Sequence, residues 1–230
     1  MTKGKTLQLI LIKIFSIINI EKRKVRFLMN GYIASPQEIR EGIQKYKEEL
    51  RKKKPLVINL FGAPGAGKST GAAIVFAELK KRGVNAELVT EFAKDKTWEG
   101  NATALGCQEY VFGKQSYRLA RCRADVDVIV TDSPLPLSLL YVKDSALTAD
   151  DSFQKVVMNV FNSYNNLNFY ILRVKPYNPK GRNQTEAESD ALNGPLQTLL
   201  VENKISYCRI CGDDAGYAEI VRRIEEWLGL

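Results

Sequence analysis

The sequence predicts an α/β fold in which a parallel five-stranded sheet is covered by helices on both faces. Two observations lead to this prediction. Short apolar runs rich in β-branched residues alternate with longer helical patterns from residue 55 to residue 230, and strands separated by helices pair in parallel. The first of these runs leads into a glycine-rich loop and then a helical stretch, the order expected of a βα unit in such a sheet.

The glycine-rich loop at residues 62–69 reads GAPGAGKS and fits the phosphate-binding pattern G-x-x-x-x-G-K-[ST]. Glycines allow successive backbone N–H groups to point at phosphate oxygens. Lys68 adds a positive charge, Ser69 offers a hydroxyl to Mg²⁺, and the following helix directs its positive end at the same anion. The pattern predicts a site for ATP and Mg²⁺; the alternative is a glycine-rich turn that binds nothing. The residues expected to bind the nucleotide are Gly62, Ala63, Pro64, Gly65, Ala66, Gly67, Lys68, Ser69 and Thr70.

We predict the remaining strands and helices from residue composition and from the Gly and Pro residues that separate segments. We expect strands at residues 55–61, 85–91, 126–131, 168–174 and 206–211. We expect helices at residues 68–82, 107–124, 136–142, 150–164, 185–203 and 214–228. Because helices separate successive strands, both faces of the sheet should be covered.

The chain begins with an apolar and basic extension, residues 1–28. Its apolar run at residues 7–20 is interrupted by Gln8 and Lys13, and it is shorter than the roughly 20 residues that a membrane span needs. We favour a misassigned start, with Met29 as the natural first residue, over a genuine N-terminal arm. N-terminal sequencing of the protein made from its own gene distinguishes the two.

Residues 29–54 form a predicted helical appendage ahead of the α/β domain at residues 55–230. Ser35 and Pro36 are typical of a helix start, and apolar residues recur on one face as far as Leu50. The basic run at residues 51–54 indicates a solvated helix end or, alternatively, a patch that binds a partner.

The positive charge of the chain is concentrated in this N-terminal part. The formal net charge is +8, but residues 1–54 hold 14 Lys and Arg against 5 Asp and Glu, which leaves 20 against 21 in residues 55–230. Binding to a phosphodiester backbone depends on a concentrated basic face. Nucleic acid is therefore possible but not favoured as a partner of the α/β domain. A local basic cleft that binds nucleic acid remains an alternative.

Four cysteines and no histidine argue against a Cys/His metal site. Cys208 and Cys211 have CxxC spacing, but Cys107 and Cys122 form no second close pair. We expect the cysteines to be small buried residues. Reduced thiols suit a cytoplasmic protein.

Two acidic residues stand where parallel sheets bind ligands, just beyond the carboxyl ends of strands. Asp132 follows the strand at residues 126–131, where it can hold Mg²⁺ or merely form a turn before Pro134. The next residue is Ser133 rather than the water-activating Glu of motor ATPases, and no guanine-reading N-K-x-D is present. With a motor ATPase and a GTPase not favoured, the remaining hypothesis is transfer of phosphate to a bound acceptor.

Glu91 ends the predicted strand at residues 85–91 and is the first candidate for a base that takes the proton of an acceptor hydroxyl. Asp95 is the second candidate. Both acids could instead be solvated side chains without a catalytic role. On the predicted helix at residues 107–124, Gln115 and Arg118 share a face, which either contacts the acceptor or faces solvent.

A polar lid loop, residues 175–186, follows the fourth strand and carries two prolines, a glycine and several cations. Arg182, together with Arg173 just before the loop, is the candidate for covering the phosphates during transfer. A plain surface loop is the alternative. Residues 211–216 follow the last strand, where backbone groups can contact the nucleotide base.

With these motifs placed, residues 55–225 resemble a family of phage and bacterial AAA-domain ATP-binding proteins. The resemblance runs through GAPGAGKST, ELVTEFAKD (87–95), VIVTDSPL (128–135) and YNNLNFYILRVKPYNPKGRNQTEAE (164–188). Its relatives are the ribosylnicotinamide kinase module and, more distantly, the phage polynucleotide 5′-kinase. Only the first stretch is specific to P-loop proteins in general.

The resemblance implies a P-loop, kinase-like fold with strand order 2-3-1-4-5. By position it places Lys68 and Ser69 on the nucleotide and Mg²⁺, Asp132 at the metal, Glu91 near the acceptor and Arg182 in the lid loop. The acceptor itself does not come with the resemblance.

We therefore expect a cytoplasmic ATP-dependent phosphotransferase that moves the γ-phosphate to a small molecule, namely a nucleoside, nucleotide or ribosyl compound. One alternative is a polynucleotide 5′-hydroxyl kinase. Another is an ATPase or ATP-binding module without a small acceptor, whose partner docks on the predicted helix at residues 36–54. The oligomeric state is open.

Overall fold

The computed structural model describes residues 54–142 and 146–230. Its strands are β1 Leu56–Phe61, β2 Ala86–Val89, β3 Val128–Thr131, β4 Asn165–Leu172 and β5 Cys208–Cys211. The expectations for the N-terminal extension and for the helical appendage fall on residues 1–53, outside the described residues.

Helices connect these strands in the described part of the chain. They are α1 Lys68–Lys81, α2 Phe92–Trp98, α3 Ala102–Gly106, α4 Gln108–Ala120, α5 Leu137–Leu140, α6 Ser152–Phe161, α7 Glu186–Ala191, α8 Asn193–Glu202 and α9 Asp214–Leu228, with a 3₁₀ turn at Ala146–Thr148. Among the described residues, no helix has the length and apolar character that crossing a membrane requires.

The five strands form one parallel sheet with the order β2-β3-β1-β4-β5. In the central strand, Leu56 is in register with Val128 of β3 and with Asn165 of β4. The predicted fold class and the strand order are confirmed. Because parallel strands end at one edge, the segments that follow β1, β3 and β2 lie side by side there.

The side chains of β1 alternate between the two faces of the sheet. Leu56, Ile58 and Leu60 pack with α1 and α9 in one apolar cluster. Val57 and Phe61 point to the opposite face and join the clusters built by α4, α6 and α8. All six residues of β1 are buried, as expected of a strand covered on both faces.

Several element boundaries differ from the sequence prediction. The second strand ends at Val89 rather than at residue 91, and the segment beyond it forms α2 and α3, which the sequence did not predict. The helix expected at residues 185–203 is two helices that meet at Leu192. Pro195 lies in the first turn of α8, where the missing N–H of proline is tolerated, so a new helix begins there.

The expectation of buried cysteines is wrong. All four are free, and Cys211 is exposed while the other three are partly buried. Cys208 and Cys211 lie on β5, an edge strand in which only Ile210 is buried. An edge strand has less of its surface covered than a central strand, which leaves these thiols accessible.

Tyr217 of α9 lies against the start of α1, and this contact generates a stability prediction. A Cβ placed on Gly71 would lie 2.4 Å from Cε1 of Tyr217, which is fully buried and donates a hydrogen bond to the Gly67 carbonyl at 3.0 Å. Gly71→Ala should therefore lower the free energy of unfolding by about 1–3 kcal/mol through overpacking. Urea unfolding followed by circular dichroism measures it.

Gly113→Ala is the matched control because Gly113 is also inside a helix but has open space where a Cβ would stand. Alanine there should raise stability by up to about 1 kcal/mol through helix propensity. A gain for both substitutions would contradict tight packing at Gly71.

Candidate active site

The P-loop, residues 62–69, joins β1 to α1 and depends on glycine at defined positions. Gly62 has φ 145° and Gly67 has φ 103°, angles that L-residues rarely adopt. A Cβ at Gly62 would lie 2.8 Å from the Ile171 carbonyl oxygen, and one at Gly67 would lie 2.5 Å from the Tyr217 hydroxyl. Backbone angle and close packing therefore both require glycine in this loop.

The N-terminus of α1 opens at the P-loop without a side-chain cap. Gly67 occupies the N-cap position, and the first turn of the helix carries no acidic residue. By contrast, Thr185 caps α7 and Asp213 caps α9 with hydrogen bonds to backbone N–H groups. The free N–H groups and positive end of α1 are thus left for an anion.

Lys68 lies at this helix start, between backbone and acidic groups. Its Nζ donates hydrogen bonds to the carbonyl oxygens of Gly62 at 2.8 Å and Ala63 at 3.1 Å. Burial lowers the pKa of Lys68, whereas the negative charges of Glu91 and Asp132 act to raise it. Burial makes the positive charge of Lys68 costly, and the two nearby acids offset only part of that cost. A phosphate bound at the helix start would offset it further.

Asp132 follows β3 directly and is 3% exposed. Its Oδ1 is buried and has no hydrogen-bond partner among the described residues. A buried carboxylate oxygen without a donor is costly, and carboxylate oxygens are preferred ligands of Mg²⁺. The residues therefore fit a cation here, with the exposed Ser69 hydroxyl on the neighbouring strand's loop as the second protein group.

Glu91 follows β2 and occupies the N-cap position of α2, but its side chain makes no capping hydrogen bond. Burial raises the pKa of Glu91, with Lys68 opposing and Asp132 reinforcing the shift. Burial and the charge of Glu91 together raise the pKa of Tyr141 to about 12. Glu91 is thus partly buried and interacts electrostatically with Lys68, Asp132 and Tyr141, and its role as a base stays a prediction.

Gln115 and Arg118 hold the backbone around Glu91. Of the two alternatives for their shared face, solvent does not hold for Gln115, which is buried and bonds to the Phe92 N–H and the Thr90 carbonyl. Arg118 is partly exposed and also bonds to the Thr90 carbonyl. Arg118 further forms an ion pair with Asp95. Asp95 is therefore engaged in an ion pair, which favours Glu91 over Asp95 as the candidate base.

The lid loop packs on the P-loop through Tyr177. A Cβ on Gly65 would lie 2.8 Å from Cδ2 of the Tyr177 ring and 3.7 Å from Nε of Arg182. The guanidinium groups of Arg173 and Arg182 lie 5.4 Å and 5.3 Å from the centre of this ring. The lid loop thus brings Arg182 beside the P-loop, a position that the sequence pattern alone did not give.

The two arginines differ in their other partners. Arg173 forms ion pairs with Glu186 and Asp190 of α7, whereas Arg182 donates to the carbonyl of Asn178 within the lid loop. The positive charge of Arg182 acts on Lys68 and opposes its protonation. Arg182 is therefore the better placed of the two to meet phosphate.

The far side of the lid loop reaches α2. The Trp98 ring lies against Gly181, since a Cβ there would be 2.5 Å from Cζ2 of Trp98. Asn183 Nδ2 donates a hydrogen bond to the Thr97 hydroxyl at 3.1 Å. One loop thus touches both the P-loop and the helix that begins beside Glu91.

A cavity of about 250 Å³ lies on the outer side of the P-loop, between Ala63, Pro64 and helices α7 and α8. Neither Glu91 nor Asp132 lines this cavity, so it is separate from the acidic cleft. Sequence reasoning missed it because its walls come from three distant segments.

The loop after β5 was expected to lie beside the nucleotide base. Asp213 Oδ1 accepts a hydrogen bond from Gly216 N–H at 2.8 Å, and Gly212 N–H donates to the Leu172 carbonyl at 2.9 Å. These hydrogen bonds stabilise the loop and its contact with β4. Contact of this loop with adenine stays a prediction.

The raised pKa of Glu91 predicts a pH-dependent stability effect. An acid whose pKa is higher in the folded protein than in the unfolded chain reduces stability as the pH rises through that interval. Glu91→Gln removes the charge, so its stability relative to the parent should increase as the pH rises above the usual glutamate value of 4.5. Urea unfolding between pH 4 and pH 8 measures this difference.

Glu109→Gln, at an exposed position on the neighbouring helix α4, is the control and should show no gain that grows with pH. A constant difference between Glu91→Gln and the parent at every pH would contradict the burial of the Glu91 carboxyl.

No curated protein matches the chain. The chain is similar to deoxyadenosine kinase from M. mycoides with the products dCMP and a flexible dCDP bound, with 19% identity and a TM-score of 0.46 over 75% of this chain and 98% of that chain. It is similar to the same kinase with bound dATP, with 20% identity and a TM-score of 0.46 over 76% and 100%. A family model described as an AAA domain matches residues 57–215, most of the chain, and the chain therefore belongs to this AAA domain family.

Proposed function

We propose that the protein is an ATP-dependent phosphotransferase that moves the γ-phosphate of ATP to a hydroxyl of a small acceptor. One observation carries the proposal. At the carboxyl edge of the sheet, three neighbouring strands deliver Lys68 of the P-loop, Asp132 with an unpartnered buried oxygen, and Glu91 with a raised pKa. A phosphate site, a cation ligand and a base are the parts that phosphoryl transfer needs.

The nucleotide is held by the P-loop in this proposal. The backbone N–H groups at the start of α1 and the Lys68 ammonium group bind the β- and γ-phosphates. Asp132 and Ser69 would hold Mg²⁺, which when bound neutralises phosphate charge and orients the phosphate oxygens. Lys68 leaves the carbonyl oxygens of Gly62 and Ala63 to reach the phosphates.

Glu91 acts on the acceptor. Its carboxylate accepts the proton of the acceptor hydroxyl as that oxygen forms its bond to the γ-phosphorus and the bond to the β-phosphate oxygen breaks, which releases ADP. A raised pKa makes the carboxylate a stronger base near neutral pH. Arg182 in the lid loop stabilises the charge on the transferring group and helps to exclude water.

The acceptor class proposed is a nucleoside, nucleotide or ribosyl compound. Its support is the resemblance of residues 55–225 to proteins related to the ribosylnicotinamide kinase module, together with the near-neutral charge of residues 55–230. Without an acceptor, the same site would act as an ATPase or ATP-binding module.

A second candidate function is phosphorylation of polynucleotide 5′-hydroxyls, which one surface of α4 favours. Tyr110, Lys114, Tyr117 and Arg121 recur at helical spacing, Tyr117 is 68% exposed and Lys114 lies over the Tyr110 ring. Alternating aromatic and cationic side chains are typical of surfaces that bind single strands. Arg121 is paired with Glu87, however, which reduces the charge offered to phosphate.

Lys68→Ala tests the nucleotide site. Loss of a charge-assisted contact to phosphate should weaken ATP binding by about 10- to 100-fold in the presence of Mg²⁺ and abolish turnover. Isothermal calorimetry measures the affinity. Lys80→Ala, at an exposed position of the same helix, is the control and should bind as the parent does. Equal affinity of the Lys68→Ala variant and the parent would overturn the assignment.

Glu91→Gln and Asp132→Asn separate the base from the metal ligand. Glu91→Gln should lower transfer by about 10²- to 10⁴-fold while background ATP hydrolysis stays near the parent rate, because it acts on the acceptor alone. Asp132→Asn should slow both reactions and change their dependence on Mg²⁺. The experiment uses γ-labelled ATP with nucleosides, nucleotides, nicotinamide riboside and 5′-hydroxyl oligonucleotides.

The same assay identifies the acceptor. Label in a small product supports the proposed function, and label in oligonucleotides supports the second candidate. Label found in inorganic phosphate alone across the panel favours an ATPase. Unchanged transfer by Glu91→Gln would contradict its role as the base.

A further inference from the structure

Gln115 is a polar side chain buried inside the domain rather than at its surface. It is 4% exposed on α4, and buried amides are found almost always with hydrogen-bond partners. Its Oε1 accepts a hydrogen bond from Phe92 N–H at 2.9 Å, and its Nε2 donates to the Thr90 carbonyl at 3.4 Å. The two bonded residues stand on either side of Glu91.

This position is where β2 has ended and α2 begins. The first N–H groups of a helix have no partner within the helix, and a side chain at the N-cap can bond the N–H of the second or third helical residue. Glu91 occupies the N-cap of α2 but makes no such bond. The first N–H of α2, that of Phe92, is bonded by Gln115 instead.

Gln115 therefore holds the peptide groups on both sides of Glu91. Lys68 and Asp132 act electrostatically on the carboxylate that this backbone carries. Arg118 strengthens the same arrangement from the outside, since its Nη1 donates to the Thr90 carbonyl at 3.1 Å.

We propose that Gln115 is a positioning residue for phosphoryl transfer, which fixes the backbone on both sides of Glu91 and so keeps the Glu91 carboxylate directed at the acceptor hydroxyl. The proposal rests on the proposed role of Glu91 as the base. Without Gln115, the backbone on both sides of Glu91 is free to shift, and the carboxylate withdraws from the acceptor towards solvent. Because burial raises the pKa of Glu91, this withdrawal lowers the pKa.

Gln115→Met tests this proposal because methionine is similar in length and favours helices but cannot make the two hydrogen bonds. Transfer should fall between about tenfold and a hundredfold, the effect expected of a displaced reactive group. ATP affinity and background hydrolysis should stay near the parent values. The carboxyl carbon of Glu91, followed by NMR in the full chain, should titrate at a lower pH than in the parent.

Gln108→Met is the matched control. Gln108 is also a buried glutamine of α4, at 9% exposed, but its Nε2 donates to the Leu105 carbonyl at 2.8 Å, away from Glu91. The control should leave transfer and the Glu91 titration unchanged. Should Gln115→Met not fold, Gln115→Asn gives the same comparison, because its amide is one methylene too short to reach Phe92.

A double-substitution cycle distinguishes action through Glu91 from direct contact with the acceptor. If Gln115 acts through Glu91, Gln115→Met should cause no further loss of transfer in the Glu91→Gln background. Equal losses in both backgrounds, with a raised KM for the acceptor, would overturn the proposal in favour of direct contact.

The NMR titration needs no acceptor, so it remains decisive if phosphoryl transfer is never observed and the proposed function fails. A fall in the Glu91 titration point in Gln115→Met supports the positioning role. An unchanged titration point overturns it, whatever the activity of the enzyme.

Discussion

The structure depends on one constraint, the burial of β1 on both faces and its pairing on both edges. Five of the six residues of this strand are apolar, and the sixth, Asn59, is buried with hydrogen bonds to Asn166 and Asn168 of β4. The strand pairs with β3 on one side and with β4 on the other. The loop that leaves it must turn within a few residues to start α1, and the space there is closed by Ile171 of β4 and Tyr217 of α9. Glycine is the residue that fits, and it also lets backbone N–H groups approach phosphate. Packing of the core and anion binding thus impose the same sequence on this loop.

Several groups at this edge are left without the partners that stability alone would favour. The start of α1 has no side-chain cap, Asp132 carries an oxygen without a hydrogen-bond partner in residues 54–142 and 146–230, and Glu91 is held where burial opposes its charge. Each arrangement costs folding free energy, and a bound nucleotide with a cation can recover part of that cost. A trade of stability for binding is common at functional sites.

The sequence predicted the parts of the site that depend on local pattern. The P-loop, the strand before it and Asp132 follow from short stretches whose chemistry is decided by neighbouring residues. The pattern failed at residues 92–106, because FAKDKTW has no apolar periodicity and α2 is held by tertiary contacts instead. The bonds of Gln115 join residues 23 and 25 apart, and helical spacing alone shows which residues share a face but not what that face touches. The location of Tyr177 on Gly65 is equally non-local.

The two arginines around Tyr177 show how packing can assign roles that composition leaves equal. Both guanidinium groups lie over the same ring. Arg173 is anchored by two carboxylates of α7, and a guanidinium already in ion pairs has fewer donors to offer phosphate. Within residues 54–142 and 146–230, Arg182 makes no ion pair that would compete. Tyr177, held against Gly65 and bonded to the Gln184 carbonyl, keeps this uncommitted cation beside the P-loop. An arginine so placed meets a bidentate phosphate partner without first breaking an ion pair.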